Sequence, residues 1–132
     1  MSYTDLVTAI EAESKELERL EAVVKSMEEG VETTASELRH IVFDANQKAF
    51  KHFREGREEL ASVNAPKSAY DKLAKIQKQG DEDLKRHDEK VTSGIKDLKA
   101  KLATERVPFD ELIAKQREVL SDLRARRDKA RP

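Results

Sequence analysis

The chain contains no cysteine and no tryptophan, only three prolines and four glycines, and aromatic residues fill just 5% of its 132 positions. Without cysteine there is no disulfide, no thiolate nucleophile and no Cys-based metal site. The glycines stand alone at 30, 56, 80 and 94, so no phosphate-cradling loop exists. No serine sits in a Gly-flanked nucleophile elbow. No apolar run approaches the ~18 residues of a membrane span. The opening MSYTDLVTAIEAES has neither a basic n-region nor an apolar h-region. These absences lead us to expect a soluble, cytoplasmic, non-catalytic protein with no cofactor.

What is present is charge. Charged residues make up 40% of the chain and hydrophobic ones 37%. So much alternating charge with so few helix breakers reads as long helices carrying thin apolar stripes. The net charge is −1 but unevenly spread. Residues 1–37 hold ten acidic and three basic side chains, a net of −7, and the remainder holds 23 basic and 17 acidic, a net of +6. An acidic first helix lying against more basic neighbours would use this polarity. A polyanion-binding role would not, because the acids partly cancel the field.

The first segment carries a clean heptad: Leu6, Ile10, Glu13, Leu17, Leu20, Val24, Met27 and Val31 step alternately by four and three. This is an a/d seam with one polar intruder, Glu13. Leu6, Ile10, Leu17, Leu20, Val24 and Met27 are therefore the expected self-association seam. Thr4, followed by Asp5, is the expected N-cap. At Gly30 two readings compete. The glycine can stop the helix, with Thr34-Ala-Ser-Glu37 as a capping box opening the next. Alternatively the heptad phase, which runs on through Thr34, Leu38, Ile41 and Ala45, carries the helix across at a cost of ~1 kcal/mol. The break is the preferred expectation.

The second segment is apolar over much of its circumference. Leu38, Ile41, Val42, Ala45, Ala49, Phe53 and Leu60 form one stripe, and Phe43 and Phe50 form another. Such a helix is expected to be buried by more than one neighbour. Asn64-Ala-Pro66 is the strongest punctuation in the chain, since proline removes a donor and restricts the residue before it. Ser68-Ala-Tyr-Asp71 then resembles a capping box. The third segment has a seam from Tyr70 to Leu102 that weakens at Gln79-Gly80-Asp81, where a kink is expected. Val107-Pro108-Phe109-Asp110-Glu111 opens a last helix, and the basic stretch 124–132 is expected to fray.

The expected fold class is all-α. The preferred form is an antiparallel four-helix bundle or helical coiled-coil domain, with helices at about 4–29, 34–63, 67–105 and 109–130. The alternative is a long two-armed helical hairpin turning at Asn64–Pro66, with a first arm of roughly 90 Å at ~1.5 Å per residue.

Chemical motifs are sparse. Glu37-Leu-Arg-His40 is a Glu-x-x-His, but carboxylate-bridged bundles use two such motifs and further inward glutamates. A small metal-binding bundle is thus a minor alternative. Asp83 and His87 share a helix face, which is commonplace at this composition. Ala49-Phe50-Lys51-His52-Phe53-Arg54 interleaves aromatics with basic residues, as single-strand binders do, yet Glu55, Glu58 and Glu59 follow directly. Phe43, Phe50 and Phe53, flanked by Lys51 and Arg54, are accordingly expected to serve as core first, a protein-docking surface second, and a nucleic-acid site a distant third. The functional expectation is a non-catalytic protein–protein interaction module, a scaffold, adaptor or assembly subunit. Its partner would be another protein, a second copy, or both, and no nucleic acid is expected. Binding to a lipid or granule surface through amphipathic helices is the main alternative.

Overall fold

The computed structural model describes every residue from Met1 to Pro132. It is all-α, with α1 (Tyr3–Ser62), α2 (Lys67–Glu105) and α3 (Val107–Lys129) and no strand. The expected break at Gly30 is absent, and α1 is continuous across it. There are thus three helices in place of four, with the turn between α1 and α2 where the hairpin alternative put it. The uninterrupted apolar phase accounts for this: residues on both sides of the glycine, Val24 and Ala35, are buried, at 6% and 0% exposure. Two continuous stretches of burial outweigh one poor helix former.

The chain forms two compact regions: a terminal one, residues 1–32 with 99–132, and a central one, residues 33–98. In the terminal region α1 starts with a true capping box, two residues earlier than the expected cap. The Ser2 hydroxyl accepts from the Asp5 N–H at 3.1 Å, and the Asp5 carboxylate accepts from the Ser2 N–H at 3.3 Å. Ser2, not Thr4, is the cap, because only this spacing lets the acid reach back. Leu20, Val24 and Ile113 make the core, with Leu17 and Phe109 packed on it. Leu6, Ile10 and Leu120 are buried as well.

The same interface is stitched by polar links. Arg106 reaches Glu28 at 2.6 Å, Arg117 reaches Glu21 at 3.3 Å and Lys99 reaches Glu32 at 3.6 Å. The polar intruder Glu13 meets a polar residue on the facing seam: the Gln116 amide donates to the Glu13 backbone carbonyl at 2.9 Å and also to its carboxylate. A half-buried polar pair of this kind helps fix the register of two facing helices. The acidic start of α1 thus lies against basic and amide side chains, as the charge distribution implied.

α2 passes into α3 through Arg106 alone, whose φ of −78° and ψ of −17° remain right-handed helical. Pro108 lies in the first turn of α3, where the missing N–H is one that α3 does not need and the ring favours a new helix start. The Arg106 guanidinium also binds Asp110 at 3.1 Å. That hydrogen bond, then the charges of Asp110 and Glu28, hold its pKa above the ordinary arginine value. α3 persists to Lys129, so most of the tail expected to fray is helical. Arg126, Arg127 and Lys129 occupy its last turn, where cations complement the helix dipole.

In the central region α1 ends in a Schellman motif. Asn64 takes φ 52°, a left-handed conformation that asparagine tolerates. The Ala65 N–H bonds the Leu60 carbonyl at 3.0 Å, and the Asn64 N–H bonds that of Ala61 at 3.3 Å. Pro66 follows and starts α2 with its own carbonyl, which accepts from the Ala69 N–H at 2.9 Å. α2 begins at Lys67, so Ser68 lies inside the first turn and does not cap it. α2 continues through Gly80 without a break. The glycine serves packing instead: the Phe53 ring lies over it, 3.6 Å from where a Cβ would stand, while Leu73 sits 3.5 Å from the matching point on Gly56. Ala35, Val42 and Ile95 are the buried residues of this region.

Candidate protein-docking face

The three phenylalanines of the AFKHFREG neighbourhood do not act together. Phe53 is half-buried against Gly80 of α2. Phe43 and Phe50 point outward, at 57% and 60% exposure. Their expected burial by several neighbours fails for a simple reason. The second neighbour was to be a separate first helix, and that helix is the same continuous α1, which cannot pack on itself. At ~100° per residue, Phe43 and Phe50 project within about 20° of each other.

Basic groups attend both exposed rings. The Arg54 guanidinium lies 5.9 Å from the Phe50 centroid, within cation–π range. The His40 ring stacks on Phe43 at 6.5 Å and 20° between planes, and it also reaches Asp44 at 3.5 Å. Lys51 stands off this stripe and pairs with Glu55 at 3.9 Å. Arg39, Arg54 and Arg57 have no carboxylate within salt-bridge distance, whereas Arg19, Arg86, Arg106, Arg117, Arg127 and Arg131 each have one.

Two grooves line the central region. One, of about 440 Å3, runs beside Phe50 and is walled by Asn46, Gln47, Phe53, Gln77, Asp81 and Leu84. The other, open and apolar, of about 590 Å3, lies near the turn between Gly56, Leu60, Val63, Ala69, Leu73 and Ile76. Val63 and Ile76 are 72% and 61% exposed there.

The self-association seam lies elsewhere and is already occupied. Leu6, Ile10, Leu20 and Val24 are buried, and Leu17 packs on the core that Ile113 of α3 completes. Met27 is half-buried. The heptad was legible, but the chain's own α3 fills it. Glu37 and His40 of the Glu-x-x-His are both exposed, and no three His, Asp or Glu side chains converge on a point where a metal ion could sit. No helix is long and apolar enough to cross a membrane.

Comparison with protein-family models, with curated proteins and with solved structures finds no match to this chain.

Proposed function

We propose that this protein is a non-catalytic helical interaction module, a scaffold, adaptor or assembly subunit, which engages another protein through the outward face of α1 between Arg39 and Arg57. One observation carries this reading. Phe43 and Phe50, half of the chain's four phenylalanines, share one exposed helix face. Single exposed apolar residues are ordinary, but two aromatics two turns apart on a rigid helix supply the anchor spacing of helix-in-groove and helix-on-helix recognition. The groove beside Phe50 is open to solvent, which suits a broad partner surface better than a small substrate held for chemistry.

Photo-crosslinking tests the reading. Benzoylphenylalanine replaces Phe43 or Phe50, and in control chains the exposed Glu18 or Lys25, during irradiation in the source cells. Protein adducts specific to positions 43 and 50 are expected. Adducts equally frequent at the control positions, or lipid adducts in place of protein, would remove it, the latter in favour of a peripheral lipid-binding role.

A further inference from the structure

The charge around the phenylalanines says what kind of partner fits, and this step rests on the interaction reading above. We propose that the occupant of the Phe43–Phe50 face is an acidic amphipathic helix about five turns long. It would lay apolar side chains across the two rings and set carboxylates against Arg39, Arg54 and Arg57.

Three features support this. Arg39, Arg54 and Arg57 lie within about 40° of the Phe43 direction around α1, and the acid of α1 between positions 39 and 58 nearest that direction, Glu58, is about 60° round; across the groove beside Phe50 stands one acid of α2, Asp81. None of the three guanidiniums forms an ion pair within the chain, a state they share with Arg124 and Arg126, whereas the other six arginines are paired. Each can take a carboxylate bidentately, and Arg54, held 5.9 Å from the Phe50 centroid, stands where it can do so beside the ring. The stripe from Arg39 to Arg57 runs about 27 Å at ~1.5 Å per residue. That length matches a helix and exceeds what a tight turn or short loop would cover.

The other occupants fit less well. A second copy packed symmetrically on this face would set Arg39 of one chain against Arg54 or Arg57 of the other, like charge on like. A second copy offering its acidic first half would bring carboxylates but little apolar surface, since Leu6, Ile10, Leu20 and Val24 are turned inward. A lipid surface is flat and meets a wide arc of the helix, so it would also meet Asp44, Glu55 and Glu58, which stand beside the stripe. A partner helix touches only the narrow stripe. The same flanking acids oppose a nucleic-acid strand.

Three fluorescent 21-residue helices test the proposal against the full chain by anisotropy at low and high salt. They share one Leu/Ile stripe and differ only in their flanking residues, Glu, Gln or Lys. The Glu helix is expected to bind at least ~10-fold more tightly than the Lys helix, with the preference shrinking in salt. Phe50→Ala should weaken it by about tenfold while leaving the thermal melt unchanged. Arg39→Glu with Arg57→Glu should transfer the preference to the Lys helix. Equal binding of all three helices would overturn the acidic-partner proposal and leave the interaction reading standing. Binding of none would overturn both. Tighter binding of a poly-dT strand or of phosphatidylserine vesicles, or self-association lost in Phe50→Ala, would replace the proposed partner with that one.

Discussion

The terminal and central regions are built alike, from two antiparallel helix stretches, but they spend their charges differently. In the terminal region polar links cross from helix to helix, at Glu13–Gln116, Glu21–Arg117, Glu28–Arg106 and Glu32–Lys99. In the central region the pairs stay within one helix: His40–Asp44, Lys51–Glu55 and Asp83–Arg86. Burial follows the same division. Leu6, Ile10, Leu20, Val24, Ile113 and Leu120 are buried in the first region, and only Ala35, Val42 and Ile95 in the second. Exposed apolar side chains do not separate the regions, since five large ones stand out in each, but both exposed phenylalanines, Phe43 and Phe50, lie in the central one. The terminal region ties its two stretches together with more buried apolar residues and with polar links from helix to helix; the central region leaves Phe43 and Phe50 uncovered.

The largest test of this contrast is Ile113→Ala. It removes a buried side chain from the terminal core and should cost about 2–5 kcal/mol, with hydrogen-exchange protection falling in residues 1–32 and 99–129. An equal loss of protection confined to 33–98 would contradict the division. Next comes Asn64→Ala, which forces alanine into a left-handed conformation at about 1–2 kcal/mol. Asn64→Gly should restore most of that, and denaturant midpoints of the two variants decide it. Gly30→Ala should stabilise by up to ~1 kcal/mol, because a Cβ there meets nothing within 4 Å. A lower melting temperature would mean that Gly30 is not simply mid-helix.

Smaller still is Phe50→Ala, expected to shift stability by less than ~0.5 kcal/mol, as for a surface site. A large loss would return Phe50 to the core and sharpen the comparison in the opposite sense. The least effect belongs to Glu16, whose pKa is lowered mainly by its hydrogen bond from Arg19. A depressed carboxylate contributes stability that is complete above its unfolded value of 4.5 and is lost as pH falls through the folded value. Glu16→Gln should therefore slightly flatten the acid limb of the pH–stability curve and leave the neutral region alone.

Much of this architecture was written in the sequence. The all-α class, the turn at Asn64–Pro66, the start of α3 and the heptad of the first segment follow from periodicity and punctuation. Gly30 misled because local propensity favours a stop there, whereas the continuous stripe from Val24 to Ala35 decides it through burial that no single residue displays. Gly80 misled likewise: its partner is Phe53, brought close only by the fold. The seam residues Leu6 to Met27 announced a partner helix but not that α3 of the same chain would be the partner. The polar pair Glu13–Gln116 did leave a trace, as the one polar residue on each facing seam. For the proposed docking face, the residues were visible as a stripe; that Phe43 and Phe50 stay outside, with unpaired arginines beside them, required three dimensions.

The Schellman turn also sets an order of events. Contacts of the central region join residues near Asn64 on the chain, Gly56 with Leu73 and Phe53 with Gly80. Those of the terminal region close spans of 67 to 103 positions. Loop-closure entropy is met first where the loop is shortest, so the chain should zip outward from the turn and bring its two ends together last. Stopped-flow kinetics would then show Asn64→Ala slowing refolding, while Ile113→Ala mainly speeds unfolding. The exposed Phe43–Phe50 face would be formed before the ends of the protein have met.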